Sequence, residues 1–242
     1  MAVDTNYLLG LLSNLRETGE FSDTEIKCEP SSFQLHCCII CRQSAFFDGI
    51  MKHDWKETRS RVVTISDDAF IASKMFDYLY RADYDDHPKT LNDLCGKDEN
   101  KLGESPKVDA EHQDTSINTL PSHWRRARIN VQVYAIAEKY MIDALKEVSR
   151  KKLESNMEKE CNEVGFINVV QDVYGPEFPR GSELCNVLAR FALQHVSTLK
   201  KSQHFQQIRK DYPQFEYDFC TLLMESATRV VGVLGRAKSL PW

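Results

Sequence analysis

The sequence predicts an α+β fold followed by an all-α extension, and three observations predict it. Short strand-like alternations occupy residues 24–35, helical spacing of apolar residues sets in by residue 70, and helical spacing returns beyond residue 156. In the first of these, Thr24, Ile26 and Cys28 point one way while Glu25 and Lys27 point the other. Glu29-Pro30-Ser31-Ser32 reads as a turn, because proline pre-sets its own φ and serine favours turns. Phe33 and Leu35 restart the alternation, so the two strands form a hairpin. Cys37 to Cys41 is a compact apolar run too short to assign by period. Ser44 is the N-cap of a short helix burying Phe46, Phe47, Ile50 and Met51. Val62, Val63 and Ile65 make another strand, and Ser66 or Asp67 caps a longer helix. There Phe70, Ile71, Met75, Tyr78 and Leu79 recur at spacings of three and four.

Before this stretch, Leu8, Leu11, Leu12 and Leu15 share one side of a helix over residues 4–17, which Gly19 stops. Such a stripe needs a partner surface, either its own domain or a second chain. After it, residues 85–122 are rich in Asp, Glu, Lys, Asn, Ser and Thr. They are broken by Pro88, Gly96, Gly103, Pro106 and Pro121, which predicts a largely disordered insertion. It reads as a spacer, or as a regulated loop in which Ser105-Pro106 fits a proline-directed phosphosite. Trp124-Arg125-Arg126-Ala127-Arg128 leads into a helix over 131–140 and pairs its arginines with local carboxylates. A second helix over 143–155 takes Asp143 as N-cap and turns Lys146, Arg150, Lys151 and Lys152 outward. Helices are then expected over 164–173, 181–200 and 215–234.

With 242 residues, 42% hydrophobic and 28% charged, the composition is that of a globular protein with a sizeable core. A net charge of −5 argues against general binding to nucleic acid or acidic membrane. No apolar run approaches the roughly 20 residues that span a bilayer. Leu8-Leu9-Gly10-Leu11-Leu12 is too short for a secretory leader and follows Asp4, so none is expected. Eight scattered cysteines suit reduced thiols and a cytoplasmic or nuclear location. His36-Cys37-Cys38 with Cys41 is the one cluster that suggests zinc. Structural zinc takes four ligands, no second Cys-x-x-Cys exists, and Cys28 and Cys95 stand alone, so no metal is assigned. There is no nucleophile elbow, phosphate-cradling glycine loop or His-Glu-x-x-His. No catalytic residue, cofactor or small-molecule substrate is therefore expected.

Five separated words carry a family resemblance: Phe21-Ser22-Asp23, Phe33-Gln34-Leu35-His36, Ser44-Ala45-Phe46-Phe47, Phe76 to Tyr80 with Asp83-Tyr84, and Tyr134 to Tyr140 with Ala144-Leu145-Lys146. In this order they resemble the BTB/POZ domain, a small mixed sheet flanked by a cluster of helices. The resemblance divides the chain into an N-terminal helix at 1–19, a domain at 20–155 and a helical extension at 156–242. With no kelch or zinc-finger module following, the architecture is similar to the short BTB proteins of filamentous fungi.

The resemblance implies a non-enzymatic protein-interaction module and, in its concrete form, a substrate adaptor for a cullin-based ubiquitin ligase. It implies a homodimer interface through Leu8, Leu11, Leu12 and Leu15, with Asp23 and His36 as a structural pair beside it. Where the family more usually has lysine after that histidine, Cys37 stands here. The cullin-facing surface implied is Met75, Tyr78, Tyr80, Asp83 and Tyr84. The rival readings are an oligomerisation scaffold for transcriptional co-regulators and a thiol- or zinc-dependent enzyme built on Cys37, Cys38 and Cys41.

Overall fold

A computed structural model describes residues 5–52, 59–88 and 120–237 of the chain. Helix α1 (Thr5–Thr18) ends where Gly19, at φ +66°, lets its N–H return to the Leu15 carbonyl. Strands β1 (Thr24–Cys28) and β2 (Ser31–Leu35) form the expected antiparallel hairpin, with Ile26 opposite Phe33. Strand β3 (Val62–Thr64) joins the other edge of β1 in parallel, with Ile26 opposite Val63, giving a mixed sheet of order β2-β1-β3. Thr24, Ile26 and Cys28 face the core together, as their alternation requires.

The ambiguous cysteine run folds as α2 (Cys37–Gln43), and α3 (Ala45–Lys52) follows it. Ser44 stands between them, its hydroxyl accepting from Phe47 N–H at 3.2 Å and donating to the Tyr140 carbonyl at 2.6 Å. Helix α4 (Ala69–Arg81) is capped by neither Ser66 nor Asp67. Asp68 does this, accepting from Phe70 and Ile71 N–H at 2.8 and 3.0 Å. The Asp67 carboxylate is held instead by Lys139 and the Tyr140 hydroxyl. The apolar stripe of α4 is also wider than its spacing suggested, since Ala72, Phe76 and Tyr80 are buried as well. With α1 packed on one side and the next helix on another, α4 has little surface left for solvent.

That next helix is α5 (Ser122–Lys139), which starts nine residues before the expected 131. Ile129, Val133, Ile136 and Ala137 join the core under the sheet. Trp124, Ala127, Val131 and Tyr134 join a second core shared with the C-terminal helices. Helix α6 (Asp143–Met157) has no side-chain cap, because Ile142 occupies the capping position and Asp143 is the first helical residue. Then come α7 (Glu163–Tyr174), α8 (Glu183–Gln194), α9 (Val196–Leu199), α10 (Gln203–Asp211) and α11 (Pro213–Ala237). The single helix expected over 181–200 is broken at His195 (φ −103°, ψ 15°), whose ring packs on Phe191. Leu199 still returns to the same core, which is why the apolar period ran on across the break. Helix α10, capped by Ser202, had no expectation. The insertion expected at 85–122 falls largely on residues 89–119, outside the described residues. No helix among the described residues is long and apolar enough to cross a membrane.

Two contacts lock α5 in place. Trp124 is fully buried, donates from Nε1 to the Glu160 carbonyl at 3.1 Å, and lies against Gly165 of α7. A methyl at Gly165 would sit 2.4 Å from the indole, so only glycine allows this approach. Asp86, 2% exposed, accepts from Arg126 Nε at 2.7 Å and from Asn130 and Asn156 Nδ2 at 2.9 Å each. Burial opposes ionisation of this carboxyl, but the three donors together outweigh it and leave its pKa below the ordinary value.

Gly165→Ala should lower unfolding free energy by about 2 kcal/mol through overpacking, read from the urea midpoint. Asp86→Asn should cost about 2–3 kcal/mol at pH 7, since it leaves Arg126 without its anion and sets an amide against the asparagine donors. A depressed carboxyl stabilises above its unfolded pKa and loses that contribution as pH falls through the folded one. The difference between wild type and Asp86→Asn should therefore shrink below about pH 4, which urea titrations at stepped pH will check.

Candidate functional site

Helix α1 carries the surface that the leucine stripe pointed to. On its inner side, Leu15 packs on the core beside Phe33. Arg16 lies across the Phe33 and Phe76 rings and pairs with Asp77 at 3.2 Å, without the alignment of a hydrogen bond. Arg81 reaches Glu17 at 2.6 Å. These contacts fix one face of the helix to α4. The other face presents Leu8 and Leu11, 47% and 48% exposed, with Tyr7 beside them, while Leu12 is half-buried. The four leucines are therefore split between the chain's own core and solvent. Past the helix end, Phe21 is 89% exposed at φ +61°. A bulky residue in the left-handed region is strained by roughly 1 kcal/mol or more, and such strain gathers at binding sites. Tyr7 shares a face with Leu8 and Leu11 by helical spacing, so sequence carried a signal for it; Phe21 was marked only as part of a resemblance word, with nothing to show its exposure.

Asp23 and His36 are neighbours in this region but bind different partners. Asp23 Oδ1 accepts from Cys37 N–H at 2.7 Å, capping α2 from outside. His36 is buried, with Nε2 2.7 Å from the Glu20 carbonyl and Nδ1 2.8 Å from the Tyr80 hydroxyl. A carbonyl only accepts, so Nε2 carries the hydrogen and Nδ1 receives the Tyr80 O–H. The same hydroxyl accepts from His36 N–H at 2.9 Å. Burial pushes the Tyr80 phenol up to about 12, which keeps it a donor.

The surface expected of Met75, Tyr78, Tyr80, Asp83 and Tyr84 is corrected by burial. Met75, Tyr78, Tyr80 and Tyr84 all lie in the core, and Asp83 alone is exposed, paired with Lys152 at 2.7 Å. Tyr84 is held inside by Asn130, which accepts its hydroxyl at 2.6 Å. These four residues support the surface from beneath and do not present it. An exposed apolar residue stands elsewhere: Met141, in the turn between α5 and α6 at φ +54°. It borders a hollow of about 500 Å³ that Ala45, Asp48, Lys52 and Asp143 also line.

Two thiols of α2, Cys37 and Cys41, are held in the less nucleophilic protonated form. Burial, then Cys37 and Asp48, push Cys41 up to about 11; burial and Asp23 raise Cys37 as well. Arg61 points a nitrogen at Cys37 Sγ from 3.5 Å, and Cys38 is exposed. The one three-residue group of potential metal ligands among the described residues is Asp85, Asp86 and His87, and Asp86 is already engaged by Arg126, Asn130 and Asn156. Several basic side chains are paired: Arg126 with Asp86, Arg128 with Asp172, Lys146 with Glu138, and Arg150 with Glu147 and Glu154, while the buried Arg125 Nε has no hydrogen-bond partner among the described residues.

A mixed three-stranded sheet packed among helices, with apolar side chains displayed on an anchored outer helix, is the make-up of a protein-protein interaction module. The BTB/POZ domain model matches residues 12–110, and the chain contains a BTB/POZ domain there. The match takes in the second half of α1, the sheet and α2 to α4, and stops before α5. No curated protein matches the chain.

Tyr80→Phe should cost about 1–2 kcal/mol, because both His36 N–H and Nδ1 lose their partner inside the core. Denaturant midpoints of the two proteins check it, and an unchanged midpoint would show the hydroxyl to be idle.

Proposed function

We propose that the chain is a non-enzymatic adaptor that pairs with a second copy through α1 and holds a cullin-type ubiquitin ligase scaffold. What carries the pairing is the division of α1, with one face tied down by Arg16 and Glu17 and the other leaving Leu8 and Leu11 in water. Adjoining apolar side chains exposed on a rigid helix are stabilised when a matching surface covers them. An isologous contact would bring the same face of two copies together. The raised thiol pKa values of Cys37 and Cys41 support a role without nucleophilic chemistry. For the cullin, the hollow beside Met141 offers an exposed apolar residue rimmed by Asp48 and Lys52. The mechanism is proximity: two linked binding events raise the effective concentration of one partner near the other.

The double variant Leu8→Asp/Leu11→Asp changes exposed positions and should leave the fold intact. Light scattering should give twice the chain mass for wild type and one chain mass for the variant; a wild-type monomer removes the pairing. Purified cullin should be retained by wild type and lost, by about tenfold in affinity, with Met141→Asp. No retention at concentrations where a known adaptor binds would remove the cullin partner.

A further inference from the structure

The C-terminal helices enclose a groove that lies outside the BTB/POZ match. The loop after α7, together with α8 and α11, walls a cavity of about 770 Å³. That volume is in the range that holds a small ligand or a few peptide side chains. Val173, Phe178, Ala189 and Leu222 give it an apolar lining, and Tyr217 stands at its edge, 67% exposed.

One carboxylate lines the same groove. Asp218 Oδ1 accepts from Gln214 Nε2 at 2.9 Å, and Oδ2 accepts from the Tyr174 hydroxyl at 2.9 Å. That hydroxyl shares its hydrogen with the Cys185 carbonyl at 3.1 Å. Burial, with Cys185 and Asp218 adding to it, pushes the Tyr174 phenol well above its ordinary pKa, so it remains a donor. Two donors thus orient a carboxylate that has room for about four. Among the described residues no ion pair engages Asp218, whereas Asp172 of α7 and Glu216 of α11 each have an arginine. Arg180 is the one other charged residue lining the groove, and it sits in the loop, exposed to water that screens it.

We propose that this groove binds a short peptide segment presenting one basic side chain, with Asp218 taking the cation and Tyr217 and Leu222 covering its apolar neighbours. A half-buried, oriented carboxylate next to an aromatic ring is complementary to a guanidinium or ammonium group. The groove works independently of self-association and of any cullin contact, so its test reads neither.

The test uses the full chain and fluorescein-labelled heptapeptide pools whose central residue is Arg, Lys, Ala or Glu and whose flanks are mixed apolar residues. Fluorescence anisotropy should show the Arg and Lys pools binding at least tenfold tighter than the Ala and Glu pools. Asp218→Asn keeps an acceptor for Tyr174 and should erase that preference while leaving thermal unfolding unchanged. Tyr217→Ala, at an exposed position, should weaken every pool. If Asp218→Asn unfolds, Thr221→Lys sets a cation one turn away on the groove wall and should abolish binding of the basic pools. Absence of binding by every pool, a preference for Glu, or a preference for Arg that survives these substitutions overturns the proposal.

Discussion

Everything in this fold depends on one helix being apolar on two faces. Ile129, Val133, Ile136 and Ala137 repeat at spacings of three and four along α5, and so do Trp124, Ala127, Val131 and Tyr134, on the opposite side. At 3.6 residues per turn these are two stripes, one turned to the sheet and α4 and the other to the C-terminal helices. Each fully buried large side chain contributes about 2–3 kcal/mol, and α5 supplies them to both cores at once. Asp86 reinforces the arrangement by binding Arg126 and Asn130 of α5 and Asn156 of α6 through one carboxylate. The C-terminal helices are therefore continuous in packing with the BTB/POZ domain.

The surface follows from that interior. Because α4 is covered by α1 and α5, its aromatic residues serve the core, and apolar exposure moves outward to α1 and to the α5–α6 turn. Helix α1 can display Leu8 and Leu11 only because Leu15 and Arg16 hold its other side. Phe21 and Met141 extend the pattern, each an exposed apolar residue held at positive φ by a turn. Rigid presentation lowers the entropy lost on binding, which suits a molecule whose work is to be held by others.

Local chemistry was legible where neighbours in sequence are neighbours in space. The hairpin was visible because alternation has a period of two and Pro30 marks the turn; Ser44 was visible as a cap because its acceptor role spans three residues. The cap of α4 went to Asp68 because Asp67 was drawn to Lys139 and Tyr140, more than 70 residues away. The partner face on α4 came from the resemblance, and burial removes it, since neither a family word nor periodicity reports what covers a residue. The same limit hid the groove beside Asp218, whose walls come from three separate segments.

By itself the sequence determined the α+β class, the order of strands and helices in the first half, and the family resemblance, because these rest on period, turn chemistry and short words. Tertiary structure decided which apolar residues are core and which are surface. It also decided which charges are paired, as with Arg126 and Asp86, and which carboxylate, Asp218, is left facing an open groove. The reason is physical: burial and ion pairing depend on distances between residues far apart in the chain, and no local pattern encodes those.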